Sequence, residues 1–330
     1  MRLFTDGAEM GDVLFFDSPV TTVATTEHPA TGTYCYIMGG WISPFKVIDD
    51  VSEFYFKERY YSGQIQTPII FRHSTNNVVD INIDLLGRWT ARVATTVVAT
   101  ASVLSVLNTW MVIEVYVKIA LTTGRIILRI DGNEFIDFTG DTTWIDGPDH
   151  IDNLQWSTAV GGCWLDDLAM NDISDTDGKG DISWCGAGKV IKLTPDESGS
   201  TSDWMGSDED QVENFRLVDD YPSNSDTDYI YADGETPGTK DKFCLTDFVL
   251  TDVVIQRIWV EARARKTSGD PDTLKVGVRP LDYADVMSDE IALYETYRRI
   301  VGDELILNPD GDDVWDATML EELQLVVEVG

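Results

Sequence analysis

The sequence predicts an all-β protein, two mostly antiparallel β-sandwiches in tandem, and three observations carry that prediction. Alternation of apolar and polar residues with period two dominates. It is clearest where Val79, Ile81, Ile83 and Leu85 alternate with Asp80, Asn82 and Asp84, as in a half-buried antiparallel strand. The candidate strands are short and numerous, each rich in β-branched or aromatic residues and bounded by Gly, Asn, Asp or Pro, which indicates a sandwich. The chain has 330 residues, 43% of them hydrophobic, enough for two domains with their own cores.

In chain order, strands are predicted at residues 34–38, 52–61, 64–71, 79–85, 88–93, 111–119, 125–131 and 134–139. The last two form a hairpin joined by Asp131-Gly132-Asn133, since Asp-Gly supplies the positive φ angles that a tight hairpin turn demands. Strands at 151–156 and 163–170 close a first domain, residues 1–172. Residues 173–181 are dense in turn-forming and acidic side chains and are expected to be an acidic linker. A second, smaller β-sandwich with long polar loops is expected over 182–330. Its strands are predicted at 190–193, 248–265, 273–280 and 323–329, with an extended or mixed segment at 291–301. Polar loops are predicted at 194–210, around Trp204, and at 219–242. A short helix fits residues 316–321, with Asp316 as its cap. No internal repeat links the two halves.

Lys plus Arg total 24 against 58 for Asp plus Glu, a formal net charge of -34, with most of the excess acid beyond Ser174. Such a surface repels phosphate backbones and anionic headgroups, so neither nucleic acid nor membrane is an expected partner. The amino terminus holds no apolar run of signal length and no later stretch reaches membrane-spanning length, so the expectation is a soluble chain made in the cytoplasm. Cys35, Cys163, Cys185 and Cys244 are widely spaced without any CxxC, which disfavours zinc and predicts reduced, packed thiols.

Four short stretches come in the order of a known family: Phe4-Thr5-Asp6-Gly7-Ala8-Glu9-Met10-Gly11-Asp12, Thr109-Trp110-Met111-Val112-Ile113-Glu114-Val115, Leu128-Arg129-Ile130-Asp131-Gly132 and Trp164-Leu165-Asp166-Asp167-Leu168. Through them, residues 1–172 resemble the concanavalin A-like jelly rolls, the laminin-G/pentraxin kind, in their bacteriophage form. The remainder looks like the module that follows this jelly roll in phage virion proteins, with a strand such as 255–265 and a closing Trp315 ahead of 323–329. The resemblance implies a non-enzymatic structural protein of the virion surface, a head decoration or a tail or fibre component, made in the host cytoplasm. Its implied partners are other capsid or tail proteins, further copies of itself and a cell-surface glycan. The rivals are a carbohydrate-active enzyme or a stand-alone lectin of the same fold.

Catalysis by this fold would need paired carboxylates spaced Glu-x-Asp-x-x-Glu on one strand face, and the sequence has none; Glu209-Asp210-Gln211-Val212-Glu213 has the wrong spacing. No Gly-x-Ser-x-Gly elbow offers a nucleophile, and His28, His73 and His150 are scattered and read as surface or turn residues. No catalytic residue is therefore expected. Calcium is the cation that would suit Asp172, Asp175, Asp177 and Asp181, four carboxylates crowded among Gly turns; an acidic, solvated linker is the competing reading. Asp167 joins them because a carboxylate near this rim touches the ion in calcium-binding members of the resembling family. Of the Asp166-Asp167 pair, at most one can face solvent. Trp144 and Trp41, both placed in loops, are the candidates for stacking on a sugar face. Arg257, Arg263 and Arg265 share one strand face and Lys275 and Arg279 a face of the next. A hairpin through Ser268-Gly269-Asp270-Pro271 would make them a basic stripe that docks on an acidic neighbour.

Overall fold

The computed structural model describes residues 2–8, 15–17, 23–26, 29–30, 35–38, 44–62, 68–144, 147, 149–156, 163–174, 182–186, 188–220, 227–232, 236–248, 253–267, 272–281, 283–308 and 315–330. The chain divides into two compact units, Met1–Ile191 and Lys192–Gly330. The break therefore falls beyond the predicted linker. Residues 183–186 and 188–190 are fastened to the rest of unit 1 by side-chain and backbone hydrogen bonds, among them Lys57 Nζ to the Gly188 carbonyl at 2.6 Å and Asn171 Nδ2 to the Ser183 carbonyl at 2.8 Å.

Unit 1 begins with β1 Arg2–Asp6, β2 Val23–Thr25, β3 Cys35–Met38, β4 Phe45–Val51 and β5 Glu53–Ser62. Then come β6 Ile69–His73, β7 Asn76–Ile83, β8 Arg88–Val93, β9 Thr96–Leu104 and β10 Met111–Lys118. It ends with β11 Gly124–Ile130, β12 Asn133–Gly140, β13 Ile151–Gln155 and β14 Cys163–Asp172. These strands make two antiparallel sheets. One has the order β12-β11-β10-β5-β14-β3-β2, with β1 also on β14; the other runs β4-β13-β6-β7-β8-β9. Between them lies one core built from the inward phase of each strand: Phe54, Phe56, Ile113, Val115 and Leu165 from the first sheet, and Ile69, Phe71, Ile81, Trp89 and Leu154 from the second. This is a jelly-roll β-sandwich. The predicted hairpin is present, with Asp131 at φ 50° and Gly132 at φ 78° joining β11 to β12, the conformation of a two-residue type I′ turn.

Unit 2 contains β15 Pro195–Ser202, β16 Met205–Gly206, β17 Ile230–Tyr231, β18 Lys240–Leu245, β19 Glu261–Ala264, β20 Thr273–Arg279, β21 Val286–Met287, β22 Ile291–Ala292, β23 Arg298–Val301, α1 Ala317–Glu321 and β24 Gln324–Val329. The larger sheet runs β15-β18-β24-β20-β21 with β22 on β20, while β16-β17 and β19-β23 form two ribbons. A smaller core joins sheet and ribbons through Phe243, Val276 and Val327 on one side and Trp204, Val260 and Ile300 on the other. Asp316 caps α1, accepting the Met319 backbone N–H at 3.0 Å, as predicted.

Several expectations fail here, each for a tertiary reason. Residues 194–210 were expected to be a loop, yet 195–202 form β15, because an edge strand on β18 needs backbone partners more than apolar side chains. Residues 190–193 lie in no strand. Of the described residues of the long strand expected over 248–265, only Glu261–Ala264 are regular; Ile255 and Ile258 make isolated bridges to Trp315 and Leu305. The hairpin expected between β19 and β20 does not form, since β19 pairs with β23 and β20 with β24. Its proposed turn lies outside the described residues.

Candidate functional site

The six-stranded sheet of unit 1 has one phase of every strand in the core, so the other phase forms its outward face. On β7, Val79, Ile81 and Ile83 are buried inward, which turns Asp80 and Asn82 outward. On β8, Trp89, Ala91 and Val93 face in and Arg88, Thr90 and Arg92 face out. Ile69 and Phe71 of β6 put Ile70 and Arg72 outward, and Leu154 of β13 puts out Asn153 and Gln155. The register aligns these residues. Gln155, Ile70, Asp80, Arg92 and Val97 lie opposite one another in a single row across five strands. Asn153 and Arg72 extend one side of this row, and Asn82, Thr90 and Thr100 the other.

Adjacent strands are about 4.8 Å apart, so these side chains meet. Arg72 Nη1 donates to Gln155 Oε1 at 2.8 Å, and Arg72 also bonds the Thr75 carbonyl. Arg92 Nε donates to Asp80 Oδ1 at 2.8 Å. Thr90 Oγ1 donates to the Asn82 carbonyl at 3.2 Å. Although they lie on the face away from the core, Asp80 is only 4% exposed and Thr90 2%, so the middle of the row is recessed. Burial pushes the Asp80 carboxyl up to about 6, against the opposing pull of Arg92. Burial also lowers the pKa of Arg72, with Asp152 acting in the other direction. The face thus offers guanidinium and amide donors, a carboxylate acceptor and one apolar patch, Ile70, held in place by mutual hydrogen bonds.

The residues singled out from the sequence lie elsewhere. Trp144 is half-buried in the loop after β12, where its carbonyl accepts the Gly147 N–H at 2.7 Å. Trp41 lies outside the described residues, as do Asp175, Asp177, Asp181 and His28. Asp172 is half-buried and accepts the Ser174 N–H. Asp167, expected to touch calcium, sits in the bulge of β14 at φ 49°, is 1% exposed, and its carboxylate is held by Arg59 at 2.7 Å and the Val190 N–H at 2.9 Å. Its neighbour Asp166 is buried too, accepting the Ala30 and Asp167 N–H groups, so the bulge lets both carboxylates escape solvent. Among the described residues no group of three or more His, Cys, Asp or Glu side chains could hold a metal.

The basic stripe is not assembled, because its two strands are not neighbours. Arg257 pairs with Glu304. Arg263 and Arg265 both lie over the Tyr297 ring, at 5.0 and 4.7 Å. Lys275 stands 3.6 Å from both Glu290 and Glu328, and Arg279 donates to Ser200 Oγ at 3.4 Å. Conversely, two histidines thought scattered come together: the rings of His73 and His150 are 4.6 Å apart, edge to face, with Asp152 and Asp50 each 3.5 Å from one of them. Next to Arg72 on β6, His73 falls in the opposite phase, off the row. The row has a signal in the sequence, the polar phase of β7 and β8, which by itself reads as the open side of a half-buried strand.

No protein-family model matches this chain, and no curated protein does. Solved structures are similar to part of it. An alginate lyase of family PL-14 from Aplysia kurodai is 9% identical, covering 52% of this chain and 99% of that one, with a TM-score of 0.38. A carbohydrate esterase of the Shiga toxin-encoding bacteriophage phi24B is 13% identical, covering 52% and 98%, with a TM-score of 0.37. The Caenorhabditis elegans galectin LEC-6 is 11% identical, covering 41% and 94%, with a TM-score of 0.30. Two of these three are enzymes, and that corrects the expectation of a chain without enzymatic activity.

Proposed function

We propose that unit 1 binds a glycan on the outward face of its six-stranded sheet. The observation that carries this reading is the recessed polar row, Gln155, Ile70, Asp80 and Arg92, flanked by Arg72, Asn82 and Thr90. Vicinal hydroxyls of a sugar ring, or its carboxylate, are matched by planar groups that donate and accept in pairs. The C–H face of the ring is matched by Ile70. Because Arg72 is already fixed on Gln155 and Arg92 on Asp80, little side-chain freedom is lost on binding.

The setting we propose is the surface of a phage particle, with unit 1 displayed and unit 2 contacting other virion proteins of the head or tail. It is supported by the ordered sequence motifs of residues 1–172. Antibodies to unit 1 that label intact particles would support it; labelling confined to unassembled material would overturn it.

Affinity electrophoresis of the full chain through neutral and uronate-containing polysaccharides tests the binding. The wild type is expected to be retarded by at least one of them. Arg92→Ala, assayed below its melting temperature, is expected to lose that retardation by roughly tenfold or more in affinity. No retardation in any polysaccharide, or retardation indifferent to Arg92→Ala and Gln155→Ala, would overturn the reading.

A further inference from the structure

The free edge of the six-stranded sheet carries an exposed apolar patch. Strand β9 ends the sheet and, among the described residues, is hydrogen-bonded to no strand but β8, so one row of its backbone N–H and C=O groups has no strand partner, although β12 of the other sheet lies close to it. Leu104 is 58% exposed and Val106 59%. The turn before β8 adds Leu85, 92% exposed, and Leu86, 68%. These segments are contiguous: the Ser105 N–H donates to the Gly87 carbonyl at 2.6 Å, bringing the two loops side by side.

The patch is rigidly presented. Asp84 Oδ1 accepts the N–H groups of Leu86 and Arg88 at 2.9 Å each, and its other oxygen pairs with the Arg88 guanidinium at 2.7 Å. Two leucines are thus held out in water by a fastened turn. Proteins normally guard an edge strand with Lys, Pro or a covering element. Here no charged residue and no proline occurs between Arg92 and Glu114, in a chain that is 25% charged.

We propose that this edge is the contact between two copies of this chain, β9 pairing antiparallel with β9 of the second copy about a two-fold axis and the leucine patch being covered in the process. Charge selects the occupant. Two chains of net charge -34 repel wherever their acidic surfaces meet, and the uncharged edge is where they approach at least cost. An edge strand meeting its own copy antiparallel offers the same donors and acceptors on both sides, and the two-fold closes the contact at a dimer. The leucine patch around Leu85, Leu86 and Leu104 lies beyond the polar row, whose last member on β9 is Val97, and the proposal does not rest on a glycan binding there.

Sedimentation velocity of the full chain, over a wide concentration range at low and high salt, tests this. A dimer strengthened by salt is expected, because salt screens the repulsion of the acidic chains; a basic stripe would give the opposite dependence. Leu104→Lys and, separately, Leu86→Lys in the turn are each expected to weaken the dimer by tenfold or more while the folded monomer keeps its melting temperature. Should Leu104→Lys fail to fold, Leu86→Lys carries the test. A chain monomeric at every concentration, a dimer dissolved by salt and indifferent to these substitutions, or an open series of larger species would overturn the proposal.

Discussion

Glu58 accepts a hydrogen bond of 2.8 Å from Trp156 Nε1, and both side chains are fully buried between the two sheets of unit 1. On β5, Glu58 shares the inward phase with Phe54, Phe56 and Tyr60, where the alternation demands an apolar residue. Its Oε1 has no hydrogen-bond partner. Burial pushes the carboxyl up to about 8, against the pull of the Trp156 hydrogen bond, so at neutral pH it is mostly protonated.

That protonation has a stability consequence whose sign is fixed. A carboxyl with its folded-state pKa raised above the unfolded value binds more protons when folded, so stability falls as pH rises between the two values. From an unfolded value of 4.5 to a folded one of about 8, the loss between pH 5 and pH 8 amounts to roughly 3 to 4 kcal/mol. Asp80, raised to about 6, adds a loss of the same sign at the lower end of the window. Urea unfolding at pH 5 and pH 8 is expected to show the wild type less stable at pH 8. Glu58→Gln should remove most of that difference; an equal pH dependence in both proteins would refute the assignment.

The ion pair of Arg59 with Asp167 joins β5 to the bulge of β14, and Asp167 is closed to solvent. Asp167→Ala removes this carboxylate from Arg59 and from the Val190 N–H, so a loss of about 3 kcal/mol is expected. Thermal unfolding of the variant checks it, and a shift of less than about 2 °C would count against a structural role for the pair.

Residues 183–186 and 188–190 lie as a strap over the outer side of the eight-stranded sheet. Trp184 stacks under Arg129 at 3.9 Å and meets the Tyr55 ring at 5.1 Å, while the Gly186 N–H donates to Glu114. The strap buries Cys185, whose thiol is pushed up to about 11 by burial. With Cys35 and Cys163 also buried and Cys244 partly open, a thiol reagent should modify Cys244 first. Trp184→Ala should open Cys185, raising its labelling rate roughly tenfold as read by peptide mass spectrometry. Unchanged protection of Cys185 would mean that the indole does not hold the strap.

In unit 2, Asp241 is fully buried and accepts from Asp203 N at 2.7 Å, Trp204 N at 2.9 Å and Asn214 Nδ2 at 2.6 Å. It ties the polar segment around Trp204 to β18. Asp241→Ala removes the acceptor of the Trp204 N–H, while the Asp203 N–H keeps the Lys240 carbonyl and Asn214 Nδ2 the Trp204 carbonyl, so a cost of about 2 kcal/mol with red-shifted Trp204 fluorescence is expected. Asp241→Asn, which keeps an acceptor, should lose less; equal losses would show that the charge and not the hydrogen bonds does the tying.

The strands of unit 1 were legible wherever local alternation was strong. The core residues on the inward phase of β7, β8, β10 and β11 are Val, Ile, Leu, Trp, Met or Ala, and the predicted bounds of these strands fall within a few residues of those observed. Unit 2 was less legible, because β15 is built of Ser, Asp, Glu and Gly and exists through its pairing with β18. The candidate site was legible in its parts only. Asp80 and Arg92 are polar residues in ordinary strand phase, and nothing local says that Gln155 and Arg72 share their face.

What the sequence by itself determined is the all-β class, the β11–β12 turn and the cap of α1, since each depends on residues a few positions apart and on backbone preferences that those residues carry with them. What only the tertiary structure decided is which strands lie side by side. That choice put Arg72 beside Gln155, His73 beside His150 and Glu58 beside Trp156, and kept β19 from β20. Pairing between distant strands is settled by burial of whole faces, a sum over many residues that no short stretch contains.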